Sequence, residues 1–221
     1  MADLSELAKE QRSALDRLRP FASQLGLYLA GGTALSFQLG HRVSRDIDLF
    51  SRAPDLDLER ARAAFAAVPE FEVTSLTDAT LRFRIGNVPV DVVRYPYALL
   101  NPSQEGPGHF PMAGLEDLAT MKLSAVSRRG IRRDFWDLYE IFSRQAPSLD
   151  QALNSYIRRY GVKESDVYHV LKSMTYFDDA ELEALLPLGL TSEHWATIKS
   201  WFVEHIPAAL RLRLASAEST T

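Results

Sequence analysis

The chain has 221 residues, 46% of them hydrophobic and 24% charged, enough for one large buried core or two small ones. A formal net charge of −4 speaks against a broad, nonspecific nucleic-acid surface, and the lack of cysteine excludes disulfides and thiolate metal sites. No apolar run reaches the ~18 residues of a membrane span, and the charged opening MADLSELAKEQRSALDRLRP lacks a signal-peptide core, so a cytoplasmic location is the default expectation.

Residues 4–25 carry Leu4, Leu7, Ala8, Leu15, Leu18 and Phe21 at helical spacing, with Pro20 disturbing the end. Leu27-Tyr28-Leu29-Ala30 is a short apolar strand running straight into Gly31-Gly32, and residues 33–39 form a short helix from that turn. A second strand covers residues 46–50. Pro54 with Asp55, Asp57 and Glu59 marks the start of a helix that runs to Val68. Leu81, Phe83 and Ile85 then alternate with Arg82 and Arg84, Gly86-Asn87 supplies a tight turn, and Val88, Val90 and Val92 resume the alternation. Residues 79–94 therefore read as a hairpin. Asp91 sits inside its second strand and faces away from the valines.

The segment 101–111 is rich in proline and glycine and marks the expected domain boundary. Beyond it, residues 115–129, 131–143, 149–160, 164–174, 179–186 and 191–212 all suit helices. The expected architecture is α+β, with a mixed sheet and helices over residues 1–108 and an all-helical domain over residues 109–221.

Two features of the first half point to phosphate chemistry. Glycines at 31 and 32 let the backbone approach a phosphate closely, the helix that follows aims N–H groups at it, and Thr33 can add a hydroxyl donor. Asp46 and Asp48 stand two apart on a strand and so share a face, while Ile47 and Leu49 turn to the core. Two adjacent carboxylates repel unless a cation relieves them, and Mg²⁺ suits one or two such acids together with substrate phosphates. Asp91 on a neighbouring strand could complete a two-metal site that also activates an attacking hydroxyl.

At these residues the chain resembles a known family. Leu29-Ala30-Gly31-Gly32-Thr33-Ala34-Leu35 and His41-Arg42-Val43-Ser44-Arg45-Asp46-Ile47-Asp48-Leu49-Phe50 resemble the first two motifs of the AbiEii/AbiGii-type nucleotidyltransferases. That family belongs to the DNA polymerase β-like superfamily and includes toxins of toxin–antitoxin systems. Its later motifs, a helix-borne lysine and a (K/R)DxxD helix, are matched by Met121-Lys122-Leu123 and Arg132-Arg133-Asp134-Phe135-Trp136-Asp137-Leu138. The resemblance implies a polymerase β-like first domain and a Mg²⁺-dependent transfer of a nucleoside monophosphate from an NTP to an acceptor hydroxyl. RNA, such as the 3′ end of tRNA, is the implied acceptor, and an antitoxin encoded nearby the implied partner. By the same resemblance Gly31, Gly32 and Thr33 hold the triphosphate, with Arg42 and Ser44 beside it. Asp46 and Asp48 bind Mg²⁺, and Asp91 matches the third carboxylate by its place in a hairpin strand. Lys122 reaches the phosphates and Asp134 is implicated in catalysis, with Asp137 as its structural partner. Arg133 stands where many relatives carry lysine, which keeps the charge but changes the geometry.

Other features read more plainly. Arg128, Arg129, Arg132 and Arg133 are either solvated helix ends or a local nucleic-acid surface. His41 and His109 lack a second histidine at metal-ligand spacing, and Trp136, Tyr139 and Phe142 repeat as core positions of a helix. The alternatives are a non-catalytic nucleotide- or RNA-binding member of the fold, a housekeeping nucleotidyltransferase with a non-RNA acceptor, and a haloacid-dehalogenase-type phosphatase. The last places Thr or Val shortly after its second acid, whereas here Leu49-Phe50-Ser51 follows.

Overall fold

The computed structural model describes residues 9–218 apart from 52, 54, 145 and 146, so Leu4, Leu7, Ala8 and Pro54 lie outside the described residues. The chain divides into two compact units, Met1–Leu118 and Ala119–Thr221.

In the first unit, the helix α1 (Lys9–Ala22) buries Gln11, Ala14, Leu15, Leu18 and Ala22 along one stripe. Strand β1 (Leu27–Ala30) leads into α2 (Gly31–Leu39), and β2 (Ile47–Ser51) returns antiparallel to β1. Helix α3 (Leu58–Phe65) starts at Asp57, whose carboxylate caps the N–H groups of Glu59 and Arg60. The expected hairpin is β4 (Thr80–Ile85) with β5 (Val88–Arg94), preceded by an edge strand β3 (Phe71–Leu76). The edge strand was not visible in the sequence, because its exposed and half-buried residues do not alternate.

The proline- and glycine-rich stretch expected to be a boundary instead joins the sheet. Strand β6 (Gln104–Glu105) pairs with β7 (Pro111–Met112), which lies parallel to β1 at Leu29 and Met112. Two-residue strands carry no alternation to read, and the division between units falls ten residues beyond the expected one. The sheet order is β3-β4-β5-β2-β1-β7-β6. Its mixed character comes from the parallel β2–β5 and β1–β7 pairs among antiparallel neighbours.

One face of this sheet is the core. Ile47, Leu49, Leu81, Phe83, Val90 and Val92 are buried on it, with α1 and α3 packed against the strands. Phe65 of α3 is fully buried, its ring 5.3 Å from Phe21 edge-on and 5.2 Å from Phe83. The strand alternation sends Asp48, Phe50 and Asp91 to the other face.

The second unit holds helices α5 (Arg132–Ser143), α6 (Leu149–Tyr160), α7 (Glu164–Ser173), the short α8 (Asp178–Glu181) and α9 (Ser192–Glu218). The division between units falls inside α4 (Leu115–Arg128). Phe135, Phe177, Trp195 and Phe202 form an aromatic cluster with ring centroids 5.1–6.0 Å apart. Trp136 and Phe142 are buried as core residues. Helix α9 continues past the expected end at 212, and α8 is shorter than the expected helix over 179–186.

Truncating Phe65 to alanine removes the ring about which Phe21, Phe71 and Phe83 pack. Urea unfolding of Phe65→Ala is expected to lose about 3–5 kcal/mol in the transition that tracks the sheet.

Candidate active site

Strand β1 ends at Ala30 and the chain turns at once into α2. Gly31 takes φ +63°, the left-handed region open to glycine. A Cβ added there would lie 2.8 Å from Asp48 Cγ and 2.9 Å from Asp48 Cβ. The register explains why, since Ala30 pairs directly with Asp48 across β1 and β2. Gly32 is equally crowded: its added Cβ would meet Arg42 Nη2 at 2.5 Å and Ser44 Oγ at 3.0 Å. The two glycines thus form a floor onto which Asp48, Arg42 and Ser44 close.

Helix α2 ties down the loop that carries these groups. Thr33 is fully buried and its hydroxyl donates to the Asp46 carbonyl, while the Ser36 hydroxyl donates to the Arg42 carbonyl. The sequence suggested that Thr33 would donate to phosphate; here its hydroxyl holds the loop in place. Gln11 of α1 adds a hydrogen bond from Nε2 to the Ser44 carbonyl at 3.0 Å. Arg42 is buried, so its guanidinium is built into the turn.

Asp46 is exposed just before β2, and Asp48 lies half-buried two residues on. Asp48 and Asp91 are direct partners across the parallel β2–β5 pair. Asp91 is already engaged: its Oδ2 accepts from Arg82 Nε at 3.1 Å. Among the described residues, no three His, Asp or Glu side chains converge as a ready metal cage. A hard divalent cation that brings its own phosphate ligands needs only one or two carboxylates, and the Asp48 carboxylate over the bare Gly31 backbone offers one. Asp91 stands beside Asp48 in register and is held by Arg82.

In the second unit, the lysine and the acid motif meet. Lys122 of α4 has its Nζ 2.8 Å from Asp134 Oδ1 and 2.6 Å from Asp137 Oδ2, both carboxylates fully buried on α5. The i,i+3 spacing of the two acids puts them on one helical face. Arg129 completes the cluster, its Nε 2.8 Å from Asp134 Oδ2 and its Nη2 3.2 Å from Oδ1. Burial alone would raise the Asp134 pKa. The charge of Lys122 and the hydrogen bond and charge of Arg129 outweigh it and hold the group below its ordinary 3.8.

The arginine run divides by environment. Arg132 is buried, donating from its backbone N–H to Glu183 Oε2 at 2.6 Å and from Nη1 to the Glu183 carbonyl at 2.7 Å. Its Nη2 also reaches Glu181. Hydrogen bonds from Lys199 first, then from Trp195 and Arg132, hold the Glu181 carboxyl down at about 2. Arg128 and Arg133 are exposed. Sequence reasoning did not find the roles of Arg129, Arg82 and Gln11. The first was visible only as part of the arginine run, the second as an alternating strand residue, and the third not at all.

Comparison with known proteins follows the same lines. The sequence model of the family described as nucleotidyl transferase AbiEii toxin, type IV TA system, matches residues 13–216. An uncharacterised protein of Aquifex aeolicus (strain VF5) is 29% identical over 206 residues, covering 90% of this chain and 95% of that protein. The solved structure of MenT4, a nucleotidyltransferase toxin of Mycobacterium tuberculosis H37Rv, superposes with a TM-score of 0.59 at 22% identity. The match covers 89% of this chain and 82% of MenT4, and shows a shared fold.

Two outcomes test this geometry. Gly31→Ala forces a left-handed non-glycine residue into the Asp48 carboxylate and is expected to cost at least about 1–2 kcal/mol in thermal or urea unfolding. For Asp134 the folded pKa lies below the unfolded value, so its contribution is full above the ordinary carboxylate range and is lost as pH falls through the folded value. Urea titrations of wild type and Asp134→Asn should therefore show a stability gap that is constant above about pH 5 and narrows below about pH 4.

Proposed function

The chain belongs to the AbiEii nucleotidyl transferase toxin family and is a nucleotidyltransferase, and on that premise we propose that it transfers a nucleoside monophosphate from an NTP to an RNA hydroxyl with Mg²⁺ held at Asp46 and Asp48. The observation that carries this reading is the closure of Asp48, Arg42 and Ser44 onto the Gly31–Gly32 floor. A carboxylate, a guanidinium and a hydroxyl gathered over bare backbone suit an ion with a polyphosphate.

In the transfer, the acceptor oxygen bonds to the α-phosphorus, the bond to the bridging oxygen of the β-phosphate breaks, and pyrophosphate leaves. The hydroxyl proton passes to water. A divalent ion, when bound, supplies charge neutralisation and a lowered pKa for the attacking hydroxyl. Arg42, fixed by burial, orients the phosphates with little reorganisation.

Lys122 is assigned to phosphate charge, and the carboxylates around it hold its ammonium in position. Asp134 is read as a positioning residue acting through Lys122. A carboxylate held below its ordinary pKa is a poor proton acceptor, which argues against a general-base role. The 3′ end of tRNA is the proposed acceptor and the exposed Arg128 and Arg133 its proposed phosphate contacts. The family supports a toxin role with an antitoxin as partner.

The test is transfer of label from each of the four α-labelled NTPs to total tRNA in the presence of Mg²⁺. Asp48→Ala is expected to reduce transfer by roughly 10²–10³ with the unfolding transition little changed. No transfer from any NTP, or equal transfer by Asp48→Ala, would overturn the assignment.

A further inference from the structure

The loop of residues 42–46 brings Arg42 and Ser44 to the Gly32 floor, and side chains hold three of its carbonyls. The Ser36 hydroxyl donates to the Arg42 carbonyl, Gln11 Nε2 to the Ser44 carbonyl at 3.0 Å, and the Thr33 hydroxyl to the Asp46 carbonyl. Arg42 also folds back on the loop, its Nη1 donating to the Val43 carbonyl at 3.3 Å. Side-chain packing does little to fix this segment, because Val43, Arg45 and Asp46 are exposed. Its position therefore rests on the carbonyl contacts. Ser36 and Thr33, both on α2, take the two ends. Gln11, on α1, takes the middle, at the residue whose Oγ stands 3.0 Å from where a Gly32 Cβ would lie.

The residue type at position 11 is telling. The other buried positions of α1 are Ala14, Leu15, Leu18 and Ala22. An amide set in such an apolar stripe costs desolvation free energy unless it is paired. An alkyl chain would pack there without that cost, so the contact with Ser44, not the core, accounts for the glutamine.

Resting on the reading of the glycine floor as a polyphosphate cradle, we propose that Gln11 is a positioning residue for nucleotide binding. It holds the Ser44 main chain so that the Ser44 hydroxyl meets phosphate already aimed, and it does so without touching substrate. When this clasp is removed, the loop stays tied at residues 42 and 46 and only its middle moves. Binding must then supply the entropy of fixing that middle. Affinity for the triphosphate falls while the fold persists.

The experiment is calorimetric titration of the full chain with inorganic tripolyphosphate and Mg²⁺, at a temperature where thermal unfolding shows every variant folded. Gln11→Met keeps the length of the side chain, and Gln11→Ala introduces nothing that could clash. Both are expected to weaken binding roughly tenfold, the effect of leaving one carbonyl contact unmade. Leu15→Val, a packing change on the same helix, should bind as wild type does. Ser44→Ala should also weaken binding, and Gln11→Met added to it should weaken binding by less than the product of the two effects. In transfer assays Gln11→Met should raise KM for the NTP by the same factor and leave kcat unchanged.

Wild-type affinity in both Gln11 variants would overturn the clasp, as would an equal loss in Leu15→Val, full multiplication with Ser44→Ala, or a fall in kcat at unchanged KM. The underlying reading is judged separately. If Ser44→Ala weakens binding while the Gln11 variants match wild type, only the clasp fails. If wild type does not bind tripolyphosphate, or Ser44→Ala binds it as wild type does, the polyphosphate reading fails and the clasp with it.

Discussion

A carboxylate can rest against a backbone only where no side chain stands between them, and Gly31 meets that condition at the end of β1. Its positive φ turns the chain from strand to helix within one residue, and the missing Cβ leaves room for Asp48 on the neighbouring strand. The register that pairs Ala30 with Asp48 makes the approach unavoidable once the two strands form. Gly32 extends the same bare surface beneath Arg42 and Ser44, and the hydroxyls of Thr33 and Ser36 pin the loop that delivers them. The order of parts along the chain, strand, glycine pair, helix, loop, acidic strand, is therefore also their order of assembly in space.

The second unit solves a different electrostatic problem. Two buried carboxylates on one face of α5 would be strongly destabilising alone, and Lys122 reaches both while Arg129 takes the remaining oxygen of Asp134 and shares the other with the lysine. Two positive and two negative groups balance there. The balance fixes the lysine ammonium as firmly as the acids.

Much of this was legible in the sequence because the relevant patterns are local. The alternation through 79–94 gave the hairpin, the alternation of Ile47 and Leu49 with Asp48 gave the inward and outward faces of β2, and helical periodicity gave most of the second unit, whereas Asp46, expected on that strand, lies just before it. What escaped reading depends on pairing across the chain. Nothing within β6 or β7 reveals that the proline- and glycine-rich stretch completes the sheet, since each strand is too short for a period. The Arg82–Asp91 contact follows from hairpin register, which places residues nine apart opposite one another. The hydroxyl of Thr33, visible as a donor, could not be assigned a partner until the loop of residues 40–46 had a position.

The start of α5 has a bearing beyond its own turn. Ile131 offers no side-chain cap, and the first N–H of that helix is met by Glu183, fifty-one residues downstream. The stretch from Glu181 to Leu185 also grips the Arg132 guanidinium. A short peptide loop therefore works as a remote buckle for the turn bearing Asp134. Shortening that loop, or drawing its exposed Leu182 and Leu185 into contact with another molecule, would loosen the acid motif without touching any of its residues.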